Sequence, residues 1–297
     1  NTATRGSRKE FPAVAVIVVG DLAGSSIMQI YDGDDPDLPL WMSFNASGTY
    51  DNILGSAIGT CVSAVNGVIG FGSTSYDFHT VDFIKDYSFR YGTVSKPYLG
   101  TIGQRNDTLG FGESTTPTII SRNVNDVAMT VLPNAPIDAA TGLPVPTIAV
   151  ATAGGVSVIK DDGTVVDITW STDGIVGDVT FDTDNNIVVG IGAGTGAFNY
   201  SYRVYALPSS DLTESAAYVN SSNDLFDAGP TDFSVSSYTP TVKYLGNTAN
   251  TIKITPNHIG SSTGGLTCID RNDLSVSYIT STYNTGWMNG DIKLATL

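Results

Sequence analysis

Glutamate is nearly absent from this chain. Of 297 residues only Glu10, Glu113 and Glu214 carry it, and the rest of the 29 acidic side chains are aspartate. Glutamate suits helix interiors and aspartate suits turns, so the bias speaks against helices. No window holds a sustained 3.6-residue apolar period, which sets a helical bundle aside. Lys and Arg total 14 against a formal charge of −15, too few to neutralise a phosphate backbone, so no nucleic-acid partner is expected. Histidine is scarce as well, with only His79 in or near a strand and His258 in a loop. There is no Gly-x-Ser-x-Gly elbow, no His-Glu-x-x-His and no phosphate-binding Gly-rich loop, which removes the common hydrolase, zinc-protease and nucleotide machineries. The two cysteines, Cys61 and Cys268, are too few for a structural zinc site. Each sits in an apolar strand-like run, so each reads as a buried thiol, with a disulfide between them left open by spacing alone. The longest apolar run, Ala13–Val19, falls well short of the roughly 20 residues that span a bilayer, and no cleavage motif follows it. Membrane insertion is therefore not expected.

What is present is turn chemistry between short β-branched runs. Glycine is abundant at 32 residues and charged residues make up only 14%, and Ser, Thr and Asn are plentiful, as in an all-β chain with many loops. The clearest stretch is Thr147–Trp170, TIAVATAGGVSVIKDDGTVVDITW. It predicts strands at Thr147–Thr152, Val156–Lys160 and Thr164–Trp170, with a break at Gly154-Gly155 and a two-residue Asp162-Gly163 turn. Asn125–Leu132 supplies a strand before them, giving a four-stranded meander with an insertion, Pro133–Pro146, after its first strand.

The same pattern recurs along the chain. Asn1–Phe11 carries Arg5, Arg8 and Lys9 and reads as an extended leader, so residues 1–12 are set apart from a single domain over 13–297. The start at Asn1 rather than Met is expected of a processed protein or of a segment of a longer one. Strands follow at Ala13–Val19, Ser26–Tyr31 and Leu40–Phe44, the first expected to be buried on both faces. A second unit runs Ala57–Val65, an Asn66-Gly67 turn, Val68–Gly72, Phe78–Ile84 and Tyr87–Tyr91. Gly92–Arg122 is a long polar excursion, which implies function, partial order or hidden strands. A fourth unit has Asp178–Phe181, Ile187–Ile191, Tyr200–Leu207 and a last strand near Ala216–Val219. A fifth has Thr241–Leu245, Thr251–Thr255, Leu266–Asp270 and Leu274–Ile279. Asp291–Leu297 then reads as a first strand with nothing after it.

Repeated four-stranded units of this kind predict a β-propeller of about five blades, or six if the long excursion hides strands. Three strands at the start and one at the end predict that the two chain ends share one blade.

Candidate sites come from three residue types. Asp32, Asp34, Asp35 and Asp37 form a dense acidic turn that could ligate calcium through oxygen, although turn capping is the plainer role of such residues. Calcium is the only cofactor the sequence suggests. Asp126, Asp178 and Asp291 each open a first strand and could ring one mouth of a central channel, or simply cap the chain as it enters each unit. Trp170 and Trp287, with Tyr76, Tyr91, Tyr98, Tyr200, Tyr202 and Tyr283, lie at strand ends or in loops, where they suit sugar or protein recognition or seal sheet against sheet. Asp182, Asp184 and Asn186 begin like a calcium loop but lack its glycine and final glutamate, so they read as a hairpin turn. Glycoside hydrolysis asks for a protonated acid paired with a second carboxylate, a role usually taken by glutamate, and only Glu113 sits in a long loop.

Both ends of the chain carry a resemblance. TRGSRKEFPAVAVIV and IYDGDDPDLPLWM at the front, and YNTGWMNGDIKLATL at the back, resemble a propeller module found in virion proteins of marine bacteriophages. In those proteins a LamG, concanavalin-like lectin sandwich typically follows the module. The resemblance implies a particle component such as a tail fibre or appendage, whose partners are other virion proteins and a host-surface glycan or protein. It supplies no catalytic residues. Together these readings predict a non-enzymatic virion protein, with a glycan-binding or glycan-cleaving propeller as the second reading.

Overall fold

The computed structural model describes residues 11–12, 14–22, 25–46, 51–55, 59–73, 77–139, 142–170, 175–182, 184–192, 200–214, 252–254, 258–261, 266–270 and 276–279. All regular elements among them are strands, apart from one 3-10 turn at Ile102–Gln104. The protein is all-β, built from several sheets of mainly antiparallel strands. It divides into two compact units, Asn1–Asp167 and Ile168–Leu297.

The first unit holds three meanders. Strands β1 (Ala15–Leu22), β2 (Ser25–Asp32) and β3 (Leu40–Asn45) make the first. The second is β4 (Gly59–Val65), β5 (Val68–Ser73), β6 (Phe78–Asp82), β7 (Tyr87–Tyr91) and β8 (Lys96–Pro97). The third is β9 (Val124–Thr130), β10 (Thr147–Thr152) and β11 (Gly155–Ile159), continued by β12 (Val165–Trp170), in which the division between the units falls. Within this unit β1 stands beside β4, and β4 and β5 stand beside β9.

One core, with Met28, Ile30, Trp41, Phe44, Ile69, Phe71 and Val81, lies between the first and second sheets. Another, with Cys61, Phe78, Val124, Val127, Ile148 and Val150, lies between the second and third. The second sheet is thus covered on both faces. The strands β10 and β11 are buried along their whole length, and each Val or Ile in them contributes roughly 1.5–3 kcal/mol when removed from water. Close approach of the second and third sheets depends on Gly72, where an added Cβ would run into the side chain of Val124.

The second unit contains β13 (Ile175–Phe181), β14 (Ile187–Gly192) and β15 (Tyr200–Tyr205) as one meander. Here β16 (Leu212–Glu214) lies parallel to Ile168–Trp170. Another meander is β17 (Ile252–Ile254), β18 (His258–Ser261), β19 (Leu266–Asp270) and β20 (Val276–Ile279), and β17 stands beside β13. The expected strands at 216–219, 241–245 and 291–297 lie outside the described residues.

Three expectations are corrected. Within the first unit only one face of β1 is covered: Val14, Val16 and Val18 are 56%, 41% and 45% exposed, while Ala15, Ile17 and Val19 pack on the core. Valine and isoleucine favour strands whether one face or two are covered, so composition does not separate the cases. The Asp162-Gly163 turn is a three-residue loop. Lys160 N–H donates to Thr164 O (2.8 Å), Gly163 N–H donates to Lys160 O (2.9 Å), and Gly163 has φ +84°, the arrangement of a type I turn closed by a left-handed glycine. His258 is in a strand, because β18 pairs with both β17 and β19. A four-residue strand with a single large apolar residue gives no period to read.

The excursion 92–122 adds the short strand β8 to the second sheet, together with isolated bridges Ser95↔Thr115 and Tyr98↔Phe111, and forms no sheet of its own. Its anchor is Tyr98, 4% exposed, whose hydroxyl donates toward the carbonyls of Gln104 and Asp107, each 2.8 Å away.

Candidate functional site

The sequence candidates are placed as follows. Asp34 N–H donates to Asp32 Oδ1 (3.1 Å), Asp37 N–H to Asp35 Oδ1 (3.0 Å), and Val14 N–H to Asp34 Oδ1 (3.2 Å). Three of the four carboxylates therefore cap turn or strand N–H groups, the role that favours Asp in such loops. Among the described residues no group of three or more His, Cys, Asp or Glu side chains is gathered as metal ligands.

Asp126 is half-buried in β9 and opposes Ala151. Asp178 is 3% exposed in β13 and sits at a register shift opposite Gly190. Trp170 is buried at the end of β12, edge-on to Tyr205 at 6.2 Å. Asp291 and Trp287 lie outside the described residues, as do Tyr76 and Tyr283. The Asp182 carboxylate accepts from Asp184 N–H, Asn186 N–H and the Asn186 side chain, which makes that segment a capped hairpin turn.

A charged cluster that the sequence did not single out lies at one end of the second sheet. Asp77 has an 8% exposed side chain, with Arg122 Nε at 3.5 Å and Arg90 Nε at 3.6 Å. Its N–H donates to Arg122 O (2.9 Å), and its φ is +70°, a conformation that Asp tolerates better than most residues. Burial raises the Asp77 carboxyl above its ordinary range, and the two guanidiniums, Arg122 then Arg90, pull it back only in part. His79 stacks on Phe71 at 5.2 Å, and the Arg90 guanidinium lies 4.6 Å from the centre of Phe111. The two cavities touching this cluster hold only about 10 Å³ each, near the minimum for one water molecule. The cluster ties the chain entering β9 to β6 and β7 and leaves no room for a ligand.

Room exists instead along β7. Tyr87, Phe89 and Tyr91 alternate with Ser88 and Arg90, so the three rings share one face of the strand. Ring centres are 6.1 Å apart for Tyr87 and Phe89, and 4.6 Å for Phe89 and Tyr91. On one side of this row is a cleft of about 380 Å³, walled by Asp82, Lys85, Asp138, Pro144, Lys160 and Asp162. On the other is an open cleft of about 640 Å³, walled by Pro97 and residues 113–117. Both are within the size of ordinary ligand sites.

The insertion 133–146 builds the first wall. Asp138 N–H donates to Leu143 O, Val145 N–H donates to Pro136 O, and the Asn66 side-chain amide donates to Pro144 O. Lys85 Nζ lies 3.3 Å from Asp82 and 3.7 Å from Asp138, joining the β6–β7 turn to the insertion. Burial and the neighbouring Tyr87 push the Tyr91 hydroxyl up to about 12, and burial raises Tyr87 as well, so both phenols stay neutral donors at physiological pH.

The pattern YSFRY announces a strand, but nothing in it says which strand face meets open space. That depends on the insertion folding opposite, some fifty residues away.

No protein-family model matches the chain, and no curated protein sequence matches it. No helix among the described residues is long and apolar enough to cross a membrane.

Proposed function

We propose that this chain is a non-enzymatic virion protein, a β-propeller of about five blades that presents its loops to a host surface or to neighbouring virion subunits. The observation that carries the fold is the adjacency of first strands: β1 beside β4 and β4 beside β9 in one unit, and β13 beside β17 in the other. Successive meanders whose leading strands neighbour one another are what radial blades require. In this reading residues 13–297 form one ring, closed by the two chain ends sharing a blade. The role on a particle rests on the resemblance of both ends to phage virion modules, and the excursion 92–122, packed around Tyr98, supplies a loop surface of the kind that carries binding.

The test has two parts. Electron cryo-microscopy of the chain is expected to show sheets arranged about an axis, and an open stack of sheets would sink the fold. Antibody raised against the chain is expected to label purified particles at a tail or appendage. Label confined to cell debris would sink the virion assignment.

The row Tyr87–Phe89–Tyr91 between two clefts favours glycan recognition as the mode of attachment. A reducing sugar released from a host polysaccharide by the purified chain would turn the reading toward a glycan-cleaving enzyme.

A further inference from the structure

We propose that the groove along β7 binds a neutral oligosaccharide, an inference that rests on the adhesive reading and names the ligand of its surface. The floor is the ring row Tyr87, Phe89 and Tyr91, with Tyr87 39% exposed. Pyranose rings present flat C–H faces that stack on aromatic rings, and their hydroxyls need donors and acceptors at the margin. The margins supply both: neutral phenol hydroxyls from Tyr87 and Tyr91, carboxylates from Asp161 and Asp162, and the Thr80 hydroxyl.

Charge decides among ligands. Around the narrower cleft stand the carboxylates of Asp82, Asp138, Asp161 and Asp162 against only Lys85 and Lys160, and Glu113 adds to the acidic side of the wider one. An excess of carboxylates repels sulfated or uronic-acid glycans. A cationic ligand is disfavoured too, because the Lys85 ammonium already occupies the place between Asp82 and Asp138. A peptide strand has no edge to join over the middle of the row. Phe89 and Arg90 are paired to β6 on one side and to β8 on the other, so β-strand addition is blocked there. The two clefts flank one continuous row of rings, which suits several linked sugars rather than one.

The experiment is calorimetric titration of the full chain with maltohexaose, cellohexaose, laminarihexaose and N-acetylchitopentaose, alongside oligogalacturonate and a heparin hexasaccharide. At least one neutral probe is expected to bind with a Kd of about 1 mM or tighter, and the acidic probes at least about tenfold more weakly. Tyr87→Ala is expected to weaken the neutral probe about tenfold. Leu40→Ala, a change at an exposed apolar residue away from the groove, should alter it less than about threefold. As a measurement independent of any variant, the bound probe should slow hydrogen exchange over residues 85–91. Failure of every neutral probe to bind, acidic probes binding as tightly, or Tyr87→Ala binding unchanged would each overturn the proposal. Adhesion is read separately. Host cells still bound by the Tyr87→Ala chain would overturn the groove while sparing the adhesive role. Glycan binding without host-cell binding would overturn the adhesive role while sparing the groove.

Discussion

Asp77 shows how one residue can be both strained and satisfied. Its left-handed backbone, its buried carboxylate and the absent side chain at Gly92, where a Cβ would run into the Asp77 carboxylate, all belong to one arrangement. Two guanidiniums within 4 Å would ordinarily hold a carboxylate's pKa down, yet desolvation is the larger influence and raises it. A carboxyl whose folded pKa exceeds its unfolded value adds stability that is full below the unfolded pKa and is lost as pH rises through the folded one. Asp77→Asn keeps the shape and accepts the left-handed backbone without the titration. Urea unfolding across acid to neutral pH should therefore show the wild-type chain losing stability relative to Asp77→Asn as pH rises above about 4. A difference between the two that stays flat with pH, or that grows in favour of wild type, would reject this account of the cluster.

At the scale of elements, the turns are what make the sheets, and the contact between sheets is what holds them. Asn66 and Gly67 have φ of +51° and +76°, the pair of left-handed residues that a two-residue hairpin demands. Across the second and third sheets, Gly72→Ala would force a methyl group into Val124. The expected cost is about 1–3 kcal/mol, from overpacking between two sheets that cannot both shift, read as a lower urea midpoint at unchanged slope. A neutral substitution would mean that β4–β5 and β9 are not in close contact in solution.

Much of this was legible in the chain. The meanders of the first unit fall where the β-branched runs and Asn-Gly signals put them, because those signals act within ten residues. Three things were not legible: the exposed face of β1, the packing of 92–122 around Tyr98, and the cleft beside Tyr87. The face of β1 and the cleft beside Tyr87 depend on elements far along the chain, and the packing of 92–122 depends on the Tyr98 hydroxyl reaching the carbonyls of Gln104 and Asp107; neither period nor turn chemistry carries that information. Asp77 gives no signal in the sequence, since Arg90 and Arg122 lie thirteen and forty-five residues away.

For the whole molecule the question is whether the sheets close into a ring, and the first sheet is where that is decided. Val14, just ahead of β1, and Val16 and Val18 within it make an apolar stripe turned away from the core that β1 shares with the second sheet. A solitary exposed valine is unremarkable, but three at alternate positions along one extended segment form the kind of patch that proteins usually cover. In an open stack the stripe faces water. In a closed ring the last blade lies over it. Val16→Lys separates the two, because a lysine on a strand facing water is tolerated within about 0.5 kcal/mol, whereas an ammonium pressed against a neighbouring sheet must be desolvated or must push the sheets apart. Closure predicts a loss of at least about 1 kcal/mol in urea unfolding, together with faster hydrogen exchange in residues 15–45 and little change in β10 and β11. Unchanged stability with Val16→Lys would leave the stripe facing solvent and would remove the ring on which the proposed attachment role is built.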